Sequence, residues 1–273
     1  MKEQLIKTVA VAIVILLATG GLRTTAQTGI SISPPRVYYA IGPGQSQTEK
    51  VVVSNPSRDY PLELAVSFED WEYNAYGDNL MYQVGTLPTS CAAWISVPEA
   101  YFSLAPGESK EIDVQMTVPA DYRNDTVPVH TAILYVTQLN PRDGVDQQGA
   151  NIRIAVRTGI KLYQRLPGRF NPNLEITNFR YQHEEVPVLV LHFDNDGDVW
   201  ADGRISVELL NQATGAKRVL PDELFYSMPG DERQKVLALP GDLEAGKYIA
   251  TAIVNYGEGN TVKIAELDFT HER

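Results

Sequence analysis

Apolar and polar side chains alternate with a period of two along much of this chain. The clearest case is Glu111 to Val118, where Ile112, Val114, Met116 and Val118 alternate with Glu111, Asp113, Gln115 and Thr117. One apolar and one polar face is the pattern of a half-buried strand. Similar runs rich in Val, Ile, Tyr and Thr cover Ile30 to Ser33, Arg36 to Ala40, Thr48 to Ser54, Leu62 to Phe68, Trp94 to Leu104, Val129 to Leu139 and Asn151 to Tyr163. Between them stand turn signals: Pro34-Pro35, Asn55-Pro56, Pro106-Gly107, Asn140-Pro141 and a polar loop from Asn140 to Ala150. No convincing amphipathic helix interrupts the series. Short strands punctuated in this way predict an all-β sandwich.

Leu166-Pro167-Gly168 reads as a hinge. A second series begins near Leu174 and includes Val186 to Phe193, Arg204 to Leu210, Lys235 to Leu239, Lys247 to Asn255 and Thr261 to Phe269. The predicted fold class is therefore all-β, two immunoglobulin-like β-sandwich domains in tandem, at 27–166 and 167–273.

The first 26 residues change the picture of where the chain works. Lys2 and Lys7 precede an apolar run, Val9 to Leu17, then small residues and Ala26 as a cleavage point. This is the order of a secretory signal peptide, and the run is shorter than the about 20 residues of a membrane span. Periplasmic export is expected, with no membrane insertion after signal removal. The formal charge of -11 disfavours phosphate backbones, so nucleic acid is not expected as a partner. Cys91 is the lone cysteine, so no internal disulfide can form, and burial must supply the stability.

Little in the sequence carries catalytic chemistry. His130, His183, His192 and His271 lack the spacing of a zinc site, and no nucleophile elbow, phosphate loop or dinucleotide fingerprint is present. A hydrolase assembled from scattered loops would need a convergent pocket of titratable groups. Asp194, Asp196 and Asp198 surround Gly197 like ligands of a calcium loop, but Ile205 occupies the twelfth position, where such a loop carries Glu. A tight turn between strands accounts for the same residues. The expectation is no enzyme, no cofactor and no metal.

The run from Asn151 is more informative. Ile152, Ile154 and Val156 alternate with Arg153, Ala155 and Arg157. Either the apolar set faces its own core, or it lies on an edge strand and is offered to a partner strand.

Four stretches resemble the PapD-like periplasmic pilus chaperones, together covering roughly residues 30–167. They are Ser33-Pro34-Pro35-Arg36-Val37, Phe102 to Ser109 with its Leu-Ala-Pro-Gly turn, Ile133-Leu134-Tyr135-Val136 leading to Asn140-Pro141, and Thr158 to Pro167 with Ile160-Lys161-Leu162-Tyr163. The resemblance implies that Arg36 and Lys161 are paired cleft cations that bind the C-terminal carboxylate of a subunit. It also implies that Ile152, Ile154 and Val156 lend a missing strand to an incomplete subunit. Two features depart from the family. Asp70 to Ser90 is long and polar, with Tyr73, Tyr76 and Tyr82 either dressing a loop or forming a local binding site. In the second domain, Leu243 to Tyr248 resembles a turn of many surface sandwich domains. The expected function is a periplasmic chaperone whose partners are exported or appendage-forming protein subunits. The alternative is a structural or adhesive component of the cell envelope.

Overall fold

The computed structural model describes residues 29–123, 126–145, 148–183, 186–257, 259 and 261–272. The signal-peptide reading of residues 1–26 lies outside them. Two sets of sheets account for the chain. The first holds β1 (Ser31–Ser33), β2 (Arg36–Ala40), β3 (Ser46–Ser54), β4 (Leu62–Tyr73), β5 (Asn79–Tyr82), β6 (Ile95–Ser96), β7 (Tyr101–Leu104), β8 (Ser109–Thr117), β9 (Val129–Gln138), β10 (Arg142–Val145), β11 (Asn151–Ile154) and β12 (Arg157–Arg165). The second holds β13 (Leu174–His183), β14 (Pro187–Asn195), β15 (Ala201–Asn211), β16 (Lys217–Val219), β17 (Glu223–Ser227), β18 (Glu232–Ala238), β19 (Gly246–Tyr256) and β20 (Thr261–His271). The fold is all-β, two tandem immunoglobulin-like sandwiches.

In the first sandwich, a β1-β3-β8-β6 sheet faces a β2-β12-β9-β4-β5 sheet, with β7 added beside β4. The period-two pattern explains the core. Val51 and Val53 of β3, and Ile112, Val114 and Met116 of β8, point inward against Leu64, Leu134, Ile160 and Leu162. Strand β9 is buried on both faces, because Trp71 and Tyr163 cover Ile133 on the outer side of its sheet. That second covering layer includes Trp200 and Met228 of the other sandwich, so the outer face of the sheet is where the domains meet.

The second sandwich stacks β13-β14-β18 on β16-β15-β19-β20, with β17 beside β15. Leu189, Leu191, Phe193, Val207, Leu209, Ala250, Ala252 and Val254 fill it. In the Leu243–Tyr248 turn, the Tyr248 hydroxyl donates to the Glu244 carbonyl at 2.9 Å and Leu243 is buried, which ties the turn to the sheet.

Several sequence expectations shift. Asn140 to Ala150 contains strand β10, which forms a hairpin with β11. The single strand expected from Asn151 to Tyr163 is two. It breaks at Ala155–Val156, where the Val156 carbonyl accepts the Gln138 N–H at 2.9 Å and the chain joins the β9 ladder. Trp94 to Leu104 likewise divides into a 3-10 turn (Ala92–Trp94), β6 and β7. Around Asp194–Asp198, the Asn195 side chain accepts the Gly197 N–H and donates to the Val199 and Ser227 carbonyls. The Asp198 carboxylate accepts the Asn171 N–H at 2.7 Å. These bonds organise a turn and fasten it to the interdomain segment.

The polar stretch after β4 is held by one buried carboxylate. Asp70 accepts the Thr86 and Leu87 N–H groups at 2.8 and 3.0 Å and the Ser90 hydroxyl at 2.6 Å. Beside it Cys91 is fully buried, and burial pushes its thiol far above the ordinary range. Asp70→Ala strands these donors and should lower stability by roughly 3 kcal/mol in urea unfolding monitored by tryptophan fluorescence. It should also turn Cys91, buried in the native protein, into a site labelled by thiol reagents.

Candidate functional site

The outer face of the β2-β12-β9-β4 sheet carries the charges singled out in the sequence. Pro34 and Pro35 cannot donate to a ladder, and the chain changes sheets there: β1 pairs with β3, whereas β2 pairs in parallel with β12. The first residue after that switch is Arg36. Its register partner is Lys161, whose N–H donates to the Pro35 carbonyl at 3.2 Å. In-register neighbours point to the same face of a sheet, so the two cations stand side by side. On β12, Ile160 and Leu162 face the core, leaving Lys161 and Tyr163 on the domain-facing side.

The surroundings are aromatic. Lys161 Nζ lies 3.7 Å from the Trp71 ring centre and 4.0 Å from that of Tyr73. The Arg36 guanidinium lies 4.0 Å from the ring centre of Tyr226, on β17 of the second domain. Tyr38 stacks between Tyr163 and Trp200 at 5.2 and 4.9 Å. Trp71 is itself fixed, with Nε1 donating to the Ala132 carbonyl at 3.1 Å and its ring edge-on to Tyr163 at 5.7 Å. Ring faces attract cations without supplying a counter-charge.

A third cation was not marked by the sequence reading. Arg233, on β18, is 3% exposed and lies 4.8 Å from the Tyr73 ring centre. Its Nη1 donates to the Asn74 carbonyl at 3.1 Å, Asp231 lies 3.7 Å away, and its Nε is buried without a partner. Sequence gave only a weak pointer, a charged run after the Pro229-Gly230 turn. Trp200 and Tyr226 had none, because their role depends on the second domain meeting the first.

This crowding shifts the titrating groups. Burial, then repulsion from Arg36 and Arg233, pushes Lys161 down to about 7, with Asp231 opposing. Burial also works against the Arg36 charge, but the Tyr226 and Tyr163 hydroxyls outweigh it and hold the guanidinium firmly protonated. Asp231 is raised to about 6 by burial, opposed by the Met228 N–H and by Arg233. The cleft is therefore short of negative charge, and an arriving carboxylate would meet two adjacent donors in a poorly hydrated place.

The three apolar residues of the expected donor strand divide. Ile152 and Ile154 are 37% and 47% exposed on β11, and among the described residues β11 pairs with β10 alone. Val156 lies past the break and packs partly against the first core. Gly144 makes the hairpin compact, since a Cβ there would stand 3.1 Å from Ile154 Cδ1. Val145, 64% exposed, is the register partner of Asn151 and lies on the other face of the hairpin.

No protein-family model matches the chain, and no curated protein matches it. Among solved structures it is similar to the YadV chaperone, with 16% identity over 89% of this chain and 100% of that one and a TM-score of 0.48. It is also similar to the CupB2 chaperone of Pseudomonas aeruginosa, with 14% identity, 86% and 98% coverage and a TM-score of 0.42. A third is the CsuC–CsuE chaperone–tip adhesion subunit pre-assembly complex from archaic chaperone-usher Csu pili of Acinetobacter baumannii, with 11% identity, 88% and 98% coverage and a TM-score of 0.46. These three are structures of chaperones, the last with a bound tip adhesion subunit. At these identities the likeness is one of fold, and the site stands on its own geometry.

The Lys161 shift has a testable sign. The folded chain releases this proton near pH 7 and the unfolded chain near the ordinary 10.5. Between those values the unfolded state binds more protons, so Lys161 makes stability rise with pH across that window, while below it the full cost is present. Urea unfolding from pH 6 to 9 should show this rise, and Lys161→Met should flatten it.

Proposed function

We propose that this protein is a periplasmic chaperone that captures exported, appendage-forming subunits through their C-terminal carboxylate and by strand addition. The observation that carries the reading is the in-register pair Arg36 and Lys161 on adjacent parallel strands at the domain junction, unmatched, among the described residues, by a nearby carboxylate of the first domain. Arg36 supplies a permanent charge, and Lys161 a second donor that regains its full charge when an anion arrives. A carboxylate shared between them forms charge-assisted hydrogen bonds whose strength comes from the aromatic, dehydrated surroundings.

The free margin of β11 supplies the second contact. Its backbone groups, unpaired on that side among the described residues, can extend a sheet with a client strand, while Ile152 and Ile154, with Val156 beyond the break, fill alternate positions along it. A purely structural or adhesive envelope component expects these side chains buried in their own core. The exposure of Ile152 and Ile154 favours the chaperone reading. The role is one of binding, and the predicted export places it in the periplasm.

Periplasmic pull-down with wild-type and Lys161→Ala protein should lose a defined subunit in the variant. A synthetic peptide of that subunit's last residues should bind the wild type, and Arg36→Ala or Lys161→Ala should weaken binding by about 30-fold or more, as should amidation of the peptide's carboxylate. An unchanged affinity on amidation overturns the reading. Binding should be level up to about pH 7 and fall above it as the free Lys161 loses its proton. Lys161→Arg should remove that fall.

A further inference from the structure

The long polar segment after β4 does more than dress the surface. Strands β4 and β5 form a hairpin in which Tyr73 and Asn79 are register partners. Tyr73 places its ring against the Lys161 ammonium, and Asn79 closes over it: Lys161 Nζ donates to Asn79 Oδ1 at 2.6 Å. Among the described residues, Asn79 Oδ1 is the oxygen acceptor of this ammonium, the other near groups being the faces of Trp71 and Tyr73. A side-chain amide oxygen thus already stands against Lys161, on the cation that a carboxylate would have to reach.

The hairpin is held down at its tip. Asn74 Oδ1 accepts the N–H groups of Tyr76, Gly77 and Asp78, each at 2.9 Å, which makes the turn rigid. The Ala75 carbonyl accepts the Gln234 N–H of the second domain at 2.7 Å, and Arg233 binds the Asn74 carbonyl. Gly77, with φ +98°, lets Arg233 approach, because a Cβ there would stand 2.3 Å from its Nη2. The plug is therefore a braced element, tied to the domain opposite.

We propose that the β4–β5 hairpin is a built-in plug of the anchor, in which the Asn79 amide oxygen substitutes for the terminal carboxylate of a client and must be displaced for that client to bind. The proposal rests on the carboxylate-capture reading above and adds a competing occupant to it. A neutral amide oxygen is a weaker acceptor for an ammonium than a carboxylate, so it occupies the site in the empty protein and yields to a true ligand. Weak binders that lack a free carboxylate gain nothing from displacing it, and the plug thereby sharpens selection for chain ends.

The test uses the full mature chain and a synthetic peptide of alternating Val and Thr, with a free α-carboxylate or a C-terminal amide, with binding measured by calorimetry. Asn79 is exposed, and thermal unfolding verifies that its variants are folded. Asn79→Ala should tighten the carboxylate peptide by about fivefold while leaving the amide unchanged. Asn79→Asp places a real carboxylate on Lys161 and should reduce the acid peptide to the affinity of the amide. Opposite effects of the two variants support the plug, because a hairpin needed only for stability would weaken binding in both. A preference for the carboxylate in the wild type that Asn79→Ala leaves unchanged or weakens overturns the plug and spares the anchor. Failure of every form to distinguish acid from amide overturns the anchor reading and the plug with it.

Discussion

The parallel pairing of β2 with β12 is the constraint on which the rest of the arrangement depends. It exists because two prolines end the first ladder and release the chain to the opposite sheet. Once β2 lies beside β12, the register leaves no choice about neighbours: Arg36 meets Lys161 and Tyr38 meets Tyr163. A slip of one residue would turn Arg36 into the core and Val37 outward, which burial of an unpaired guanidinium forbids. The apolar residues Val37, Tyr39, Ile160 and Leu162 thus fix the placement of the charges by filling the other face.

Two like charges held together at a domain junction cost stability, and the structure limits that cost without abolishing it. Trp71, Tyr73 and Tyr226 offer ring faces, which attract a cation but leave it un-neutralised. The depressed Lys161 shows that the compensation is partial. A carboxylate paired with either cation would have neutralised it and occupied the same place. Polarisable, uncharged walls leave both cations without a full counter-charge, a kind of local instability that clusters at functional sites.

Much of this was legible in the residues, for specific reasons. Glu111 to Val118 announces its buried face because each side chain has one environment, and Arg36 and Lys161 carried a recognisable sequence context. The break at Ala155–Val156 was not legible, since the alternation of Ile152, Ile154 and Val156 continues through it. What ends the strand is a backbone bond from Gln138, a residue distant in sequence. Arg233 escaped for a related reason. On β18 it reads as one charge in a solvated run, and it becomes a buried cation only because a hairpin from the other domain covers it. Tyr73 reads in the sequence as one tyrosine of a long polar stretch, and whether it lines a surface or a cleft depends on the same contact.

That contact joins two properties that are usually separate. The hairpin turn is bonded to the second domain through Ala75 and Asn74, while the register pair that closes it, Tyr73 and Asn79, lies over Lys161. Moving the backbone of that pair without the turn would strain three hydrogen bonds to Asn74. The less costly path is rotation of the exposed Asn79 side chain, which uncovers the ammonium and leaves the hairpin backbone where it is. The bonds from Ala75 and Asn74 to the second domain then stay intact, and the anchor can change its occupant without disturbing the junction that positions it.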